Sequence, residues 1–260
     1  MRCAVVGHVE WVEFARVPHV PAAGEIVHAD RVWAEPAGGG GVVARQLALL
    51  AGRCELFTAL GRDELGRAAE RRLAELGVDV HVRRGGETRR AWTHVDARGE
   101  RTITVLGEKL RPDAPLPLDG YDLVFFVSGT EAALRDARAA AFLAATVREL
   151  PTLEAGGVPL DLLVASLNDP SERYDGSLDT RHVALTDGAR GGTLDGGRYT
   201  AAAAESIADT YGAGDSFAAA LAFALARGDA PAHALALATR AGAAVTRGAG
   251  PYEAQLASSV

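Results

Sequence analysis

Asp215 closes the run Asp209-Thr-Tyr-Gly-Ala-Gly-Asp215, and an alanine-rich apolar stretch continues from it to Ala226. The small residues at 212–214 let the backbone turn tightly and approach a ligand closely. A helix beginning there points unpaired N–H groups and the positive end of its dipole at that ligand. An anion therefore fits against Gly212, Ala213 and Gly214. A carboxylate in the first turn, beside the anion, can take a proton from a hydroxyl that attacks phosphorus. The same N–H groups would offset charge on the transferring phosphoryl group. The plainer reading of Gly-Ala-Gly-Asp is a turn capped by an aspartate, so the surrounding elements have to decide.

Those elements alternate. Residues 2–6, 54–60, 123–127, 160–165 and 182–186 are apolar runs with the length of buried strands. Helical patterns cover 42–51, 64–76, 131–150, 214–227 and 231–247, and Gly52 and Gly77 stop the first two. Strands alternating with helices imply a mostly parallel sheet between two helical layers, with a site at the carboxyl ends of the strands. Residues 78–106 break the rhythm. Val78, Val80 and Val82 alternate, as do Trp92 and His94, then Ile103 and Val105, with turns at Gly85-Gly86 and Arg98-Gly99. This is hairpin chemistry, read as a small separate sheet. Residues 8–36 are long and mixed enough to carry small strands of their own. The polar stretch before 180 and the glycine-rich stretch through 197 read as loop and turn. The expected organisation is one domain over 1–260, with inserted strands at about 9–35 and 80–106.

Bulk properties narrow the function. The net charge of −7 disfavours nucleic acid as a partner, which wants a basic face. No apolar stretch approaches a membrane span, and the first apolar run is too short for a signal peptide. Two cysteines, Cys3 and Cys54, lie in apolar stretches and read as reduced thiols of a cytoplasmic protein. No Gly-x-x-x-x-Gly-Lys-Ser/Thr run is present, which excludes a P-loop kinase, and Gly38–Gly41 does not meet the dinucleotide fingerprint. The seven histidines show no metal-ligand spacing. Ser128-Gly-Thr130 is not a nucleophile elbow.

The longer run Asp209-Thr-Tyr-Gly-Ala-Gly-Asp-Ser-Phe217 resembles the signature of the ribokinase-like, PfkB-type carbohydrate kinases. Three further stretches resemble that family in its own order. Ala37-Gly-Gly-Gly-Gly-Val-Val43, continuing to Gly52, is similar to its N-terminal glycine-pair signature. Gly61-Arg-Asp-Glu-Leu-Gly66, continuing to Gly77-Val78, is similar to its Gly-x-Asp-x-x-Gly segment. Leu185-Thr-Asp-Gly-Ala-Arg-Gly-Gly192 resembles the strand and turn that hold nucleotide phosphates and ribose. Ala243-Ala-Val-Thr-Arg-Gly-Ala249 is a weaker match near the adenine pocket.

The resemblance implies a three-layer α/β/α sandwich with a small β lid over the substrate, and transfer of the γ-phosphoryl group of ATP to an alcohol with Mg²⁺. It implies Asp215 as the general base and Gly212, Ala213 and Gly214 as the anion hole. Thr186, Gly188 and Asn168 would lie along ATP, and Glu172 would help place the metal through water. The spacing Asn168-Asp-Pro-Ser-Glu172 is one residue longer than the family's Asn-x-x-Glu. The acceptor would sit near Gly39, Gly40, Val43 and Glu10. Two positions depart from the family. Val43 stands where the family has a sugar-binding Asn, and Val12 stands where it has a sugar-binding Asp. A valine accepts no hydrogen bond, so Glu10 is the candidate replacement, unless it is only a solvated surface acid. A sugar or sugar-like acceptor is the first expectation. A nucleoside, a hydroxymethyl heterocycle, or a metabolite-binding relative without catalysis are the alternatives. Trp92, His94 and Arg101 would belong to the lid, through which a homodimer can form.

Overall fold

Short apolar runs become strands here because both of their faces are covered. A computed structural model describes residues 1–258. The chain opens with β1 (Cys3–Val6), β2 (Glu10–Arg16), β3 (Arg31–Ala37), α1 (Gly39–Ala51), β4 (Glu55–Leu60) and α2 (Glu64–Glu75). Next come β5 (Asp79–Arg84), β6 (Arg90–Val95), β7 (Arg101–Leu106), β8 (Leu123–Phe126), α3 (Glu131–Ala137) and β9 (Phe142–Thr146). A 3-10 turn, Val147–Glu149, leads to α4 (Leu150–Gly156) and β10 (Leu160–Ser166). The chain continues through β11 (Thr180–Thr186), β12 (Gly192–Leu194), β13 (Gly197–Tyr199), α5 (Ala213–Ala226) and α6 (Pro231–Val245).

Nine strands form the large sheet in the order β13-β12-β11-β10-β9-β8-β1-β4-β5. Every pairing from β11 to β5 is parallel, and β12 and β13 extend the sheet antiparallel. Successive strand residues point to opposite faces, so each strand serves two cores. Val5, Leu56, Phe125 and Leu162 pack with α1, α2, α5 and α6. Val6, Val124, Phe126, Leu143 and Leu163 pack with α3 and α4. The expected sandwich of a mostly parallel sheet between helical layers is therefore present.

Residues 131–150 are not one helix. Phe142–Thr146 is the central strand β9, aligned with β8 at Leu143↔Val124 and with β10 at Ala144↔Leu162. Alanine favours a helix locally, but Phe142 through Ala145 are buried among neighbouring strands, and sheet pairing overrides that preference. Val80 and Val82 also leave their expected place. They belong to β5, which pairs parallel with β4 at the edge of the large sheet. The glycine-rich stretch before 197 holds the hairpin β12–β13, turned by Asp195 (φ 52°) and Gly196 (φ 80°). Asp-Gly suits a two-residue turn with both φ values positive.

The second sheet has the order β3-β2-β6-β7. It is the expected lid, without the residues of β5. Phe14 anchors it, stacked on Trp33 at 5.0 Å and edge-on to Tyr211 at 5.1 Å. The hairpin between β6 and β7 touches the approach to α5. The Thr210 amide donates to Gly99 O at 2.9 Å, and Arg101 Nη1 donates to Thr210 O at 3.1 Å. Trp92 and His94 lie on the other face from buried Ala91 and Thr93, and Trp92 Nε1 donates to His94 Nε2 at 3.3 Å.

Candidate active site

Two glycine-led helix N-termini meet at Asp215. Gly212 adopts φ 81° as the cap of α5, where a side chain would be strained and would press Val42. The Ala213 amide donates to Thr210 O at 3.3 Å and the Ser216 amide to Gly212 O at 2.8 Å. Among the described residues, the Gly214 and Asp215 amides have no backbone acceptor. A Cβ on Gly214 would project into open space. These two amides are free donors at the start of α5.

The other N-terminus belongs to α1. A Cβ on Gly39 would stand 2.7 Å from Val127 Cγ1 and 3.3 Å from Asp215 Oδ1. One on Gly40 would stand 2.8 Å from the Gly7 carbonyl carbon. The Gly40 amide donates to His8 O at 3.1 Å. Glycine is required here by close approach: it lets α1 begin against β1 and beside the Asp215 carboxylate. Burial pushes the Asp215 carboxyl above its ordinary range, while Arg148 and Arg101 act in the opposite direction.

Glu10, the first residue of β2, is 6% exposed. Its Oε2 has no hydrogen-bond partner, although Arg89 Nε is 3.3 Å away. Burial raises its carboxyl above the ordinary range, against the pull of Arg89, Lys109 and Arg148. His8 Nδ1 is 3.2 Å from Ser128 Oγ. Burial first, then Lys109, Arg89, Arg148 and Arg111, hold His8 well below its usual value, so its ring is neutral. Val43, expected beside the acceptor, is wholly buried in the core, as is Val12. A side chain without a polar end gains most by packing there.

On the opposite side, Asn168 follows β10 and its Oδ1 accepts from Arg190 Nη2 at 3.3 Å. A Cβ on Gly188 would stand 3.3 Å from Asn168 Nδ2, so the two loops touch. Thr186 ends β11, and its hydroxyl donates to Ala165 O at 3.2 Å. Glu172, in the 3-10 turn Pro170–Glu172, has Oε1 2.7 Å from Arg148 Nη2. Burial raises its carboxyl, with Arg148 opposing. Among the described residues, no three potential metal ligands cluster. A hard cation that keeps its waters and leans on substrate phosphates needs only one or two protein oxygens, and Glu172 and Asn168 fit that requirement. A cavity of about 290 Å³ lies along α6, lined by Ala202, Glu205, Arg240, Ala243 and Arg247.

Several polar residues here carry no sequence motif. Arg148 and Glu149 follow β9, and reading 131–150 as a helix hid them. Glu149 is 3% exposed and receives Lys109 Nζ at 2.8 Å and Arg111 Nη1 at 2.6 Å. Asp63 caps α2 through the Gly66 amide at 2.8 Å and holds the Thr88 amide at 2.6 Å, just before Arg89. That contact gives the Gly61–Gly66 stretch a structural role, joining α2 to the chain just before β6. No helix is long and apolar enough to cross a membrane among the described residues.

Known proteins share this fold. The model of the pfkB family carbohydrate kinases matches residues 1–118 and 161–257. No curated protein matches the chain. A solved Agrobacterium tumefaciens protein, provisionally described as a ribokinase, is 25% identical with a TM-score of 0.82, over 98% of this chain and 94% of that one. Arabidopsis thaliana ribokinase, solved with ribose and ATP, is 20% identical with a TM-score of 0.73, over 96% and 93% of the two chains. Adenosine kinase from Sinorhizobium meliloti is 20% identical with a TM-score of 0.75, over 96% and 95%. With its matched segments covering most of its length, this chain belongs to the pfkB family of carbohydrate kinases, phosphotransferases that act on an alcohol group.

Proposed function

We propose that the protein transfers the γ-phosphoryl group of ATP to a hydroxyl of a sugar or sugar-like small molecule. The observation that carries this reading is the Asp215 carboxylate, set at the first turn of α5 and against Gly39 at the start of α1. A hydroxyl held there lies within reach of a base whose raised pKa suits proton uptake. The free amides at Gly214 and Asp215 would face the phosphoryl group, extending the expected Gly212–Gly214 anion hole. Thr186, Gly188 and Asn168 would line the nucleotide, with its base at the cavity along α6. Mg²⁺, placed by Glu172 through water, would supply charge neutralisation to the phosphates when bound. The lid, docked through Thr210 and Gly99, would exclude water from the reacting atoms.

Glu10 is the proposed grip on the acceptor. It is buried, its Oε2 makes an ion pair with Arg89 but no hydrogen bond, and no polar side chain stands at Val12 or Val43. The loss of two polar side chains favours an acceptor with fewer hydroxyls than a common furanose, so a nucleoside or a hydroxymethyl heterocycle is the second reading. A metabolite binder without catalysis would not need Asp215. An assay of labelled phosphate transfer from ATP to a panel of sugars, sugar acids, nucleosides and hydroxymethyl heterocycles tests the proposal. Transfer to at least one class is expected, and tight ATP binding with no transfer to any would refute it.

A further inference from the structure

We infer that Arg148 grips the transferring phosphoryl group, spanning the gap between the nucleotide side and the acceptor side. The inference rests on the kinase reading above. Arg148 lies in the turn that follows β9, a strand flanked by β8 and β10. The site lies at this end of the parallel strands, because His8, Arg148, Asn168 and Gly188 all follow strands that run the same way.

The hydrogen bonding of its guanidinium is lopsided. Nη2 is 2.8 Å from Asp169 Oδ2 and 2.7 Å from Glu172 Oε1. Among the described residues, Nη1 and Nε make no hydrogen bond. The side chain is about half exposed, at 52%, so these donors are open to a ligand. An arginine whose Nη2 is fixed by two carboxylates while Nη1 is unused is preorganised to donate from Nη1, as a charge-assisted hydrogen bond, to a phosphoryl oxygen. β9 lies beside β8, and Val127 just after β8 stands against Gly39 next to Asp215, so Arg148 leaves the sheet between that corner and its tethers on the Asn168 side.

The neighbouring cations are committed elsewhere. Lys109 and Arg111 share Glu149, Arg89 stands against Glu10, and Arg101 donates to Thr210. Arg148 combines unused donors with closeness to both halves of the site. The competing role is mechanical: Arg148 would only clamp the turn carrying Glu172.

Calorimetric titration of the full chain with Mg²⁺·ADP and with Mg²⁺·β,γ-imido-ATP separates the two roles, because only the second ligand carries a γ-phosphoryl group. Arg148→Gln should weaken the imido-ATP complex by roughly 10- to 100-fold, the range of a lost charge-assisted contact, and leave ADP within about twofold. Arg148→Lys should fall between, since it keeps the charge without the planar guanidinium that can hold its tethers and donate to a ligand together. Asp169→Asn, which loosens the tether only, should keep most of the preference for imido-ATP. Retained ADP binding shows that each variant is folded. Equal loss for both nucleotides, or no loss for either, would overturn the role of Arg148 and leave the kinase reading standing. A wild-type chain that binds neither nucleotide would overturn both.

Discussion

Asp215 gathers two opposed influences: burial that favours its neutral form, and two arginines that favour the charged one. A base must be ionised to accept a proton. Since burial leaves the carboxyl above its ordinary range, activity should fall as pH drops through that raised value, earlier than a free aspartate would dictate. A pH profile of kcat/KM should therefore show an acid limb above the ordinary aspartate range, and an acid limb at or below it would contradict the burial argument. Glu10 makes a separate prediction. Its Oε2 makes no hydrogen bond and only an ion pair with Arg89, an incomplete pairing in a buried site that a ligand hydroxyl would complete. Glu10→Gln should raise KM for the acceptor by about tenfold or more and leave KM for ATP nearly unchanged. An unchanged acceptor KM would remove Glu10 from the site.

At the scale of elements, close approach explains the glycines. Gly39→Ala would drive a methyl group into Val127 and toward Asp215. The expected cost is about 1–3 kcal/mol in stability, the usual range for overpacking, with a larger proportional loss of activity because the base moves. Denaturant melts beside rate measurements check this, and a fully active, equally stable variant would contradict it. The same scale shows what was legible from residues alone. Val5, Phe125 and Leu162 lie in runs apolar on both faces, and such runs read directly as buried parallel strands. Gly212 to Asp215 was legible because a turn and a helix start impose residue types. Phe142–Thr146 was not, since local preference says helix and only its neighbours β8 and β10 make it a strand. With that strand misread, Arg148 had no address. β5 was misassigned because an alternating strand looks alike at the edge of either sheet. Glu10 was read as a grip or a surface acid, and its burial shows that it is not a surface acid. Val43 was placed by register with a family, and its burial in the apolar core became visible only in three dimensions.

The whole molecule places a lid beside a sheet, and the lid has an open edge. All six residues of β7 are exposed, including Ile103, Val105 and Leu106, and one side of the strand is unpaired. Such an edge invites a partner strand, and we propose a second copy of this chain in that place. Sedimentation velocity should find a dimer that Val105→Lys shifts toward monomer, and a monomeric wild-type chain at micromolar concentration would contradict the pairing. The central claim concerns the two helix N-termini and the acid between them. Asp215→Asn tests it most directly, assayed for phosphate transfer and for ADP binding on the same preparation. The raised carboxyl pKa means that ionised Asp215 costs folded-state stability at neutral pH, so the amide variant should melt no lower than wild type at pH 8. The account predicts transfer reduced by about 100-fold or more, the lower range for loss of a general base, with ADP binding retained. Undiminished transfer in a well-folded Asp215→Asn protein would contradict it.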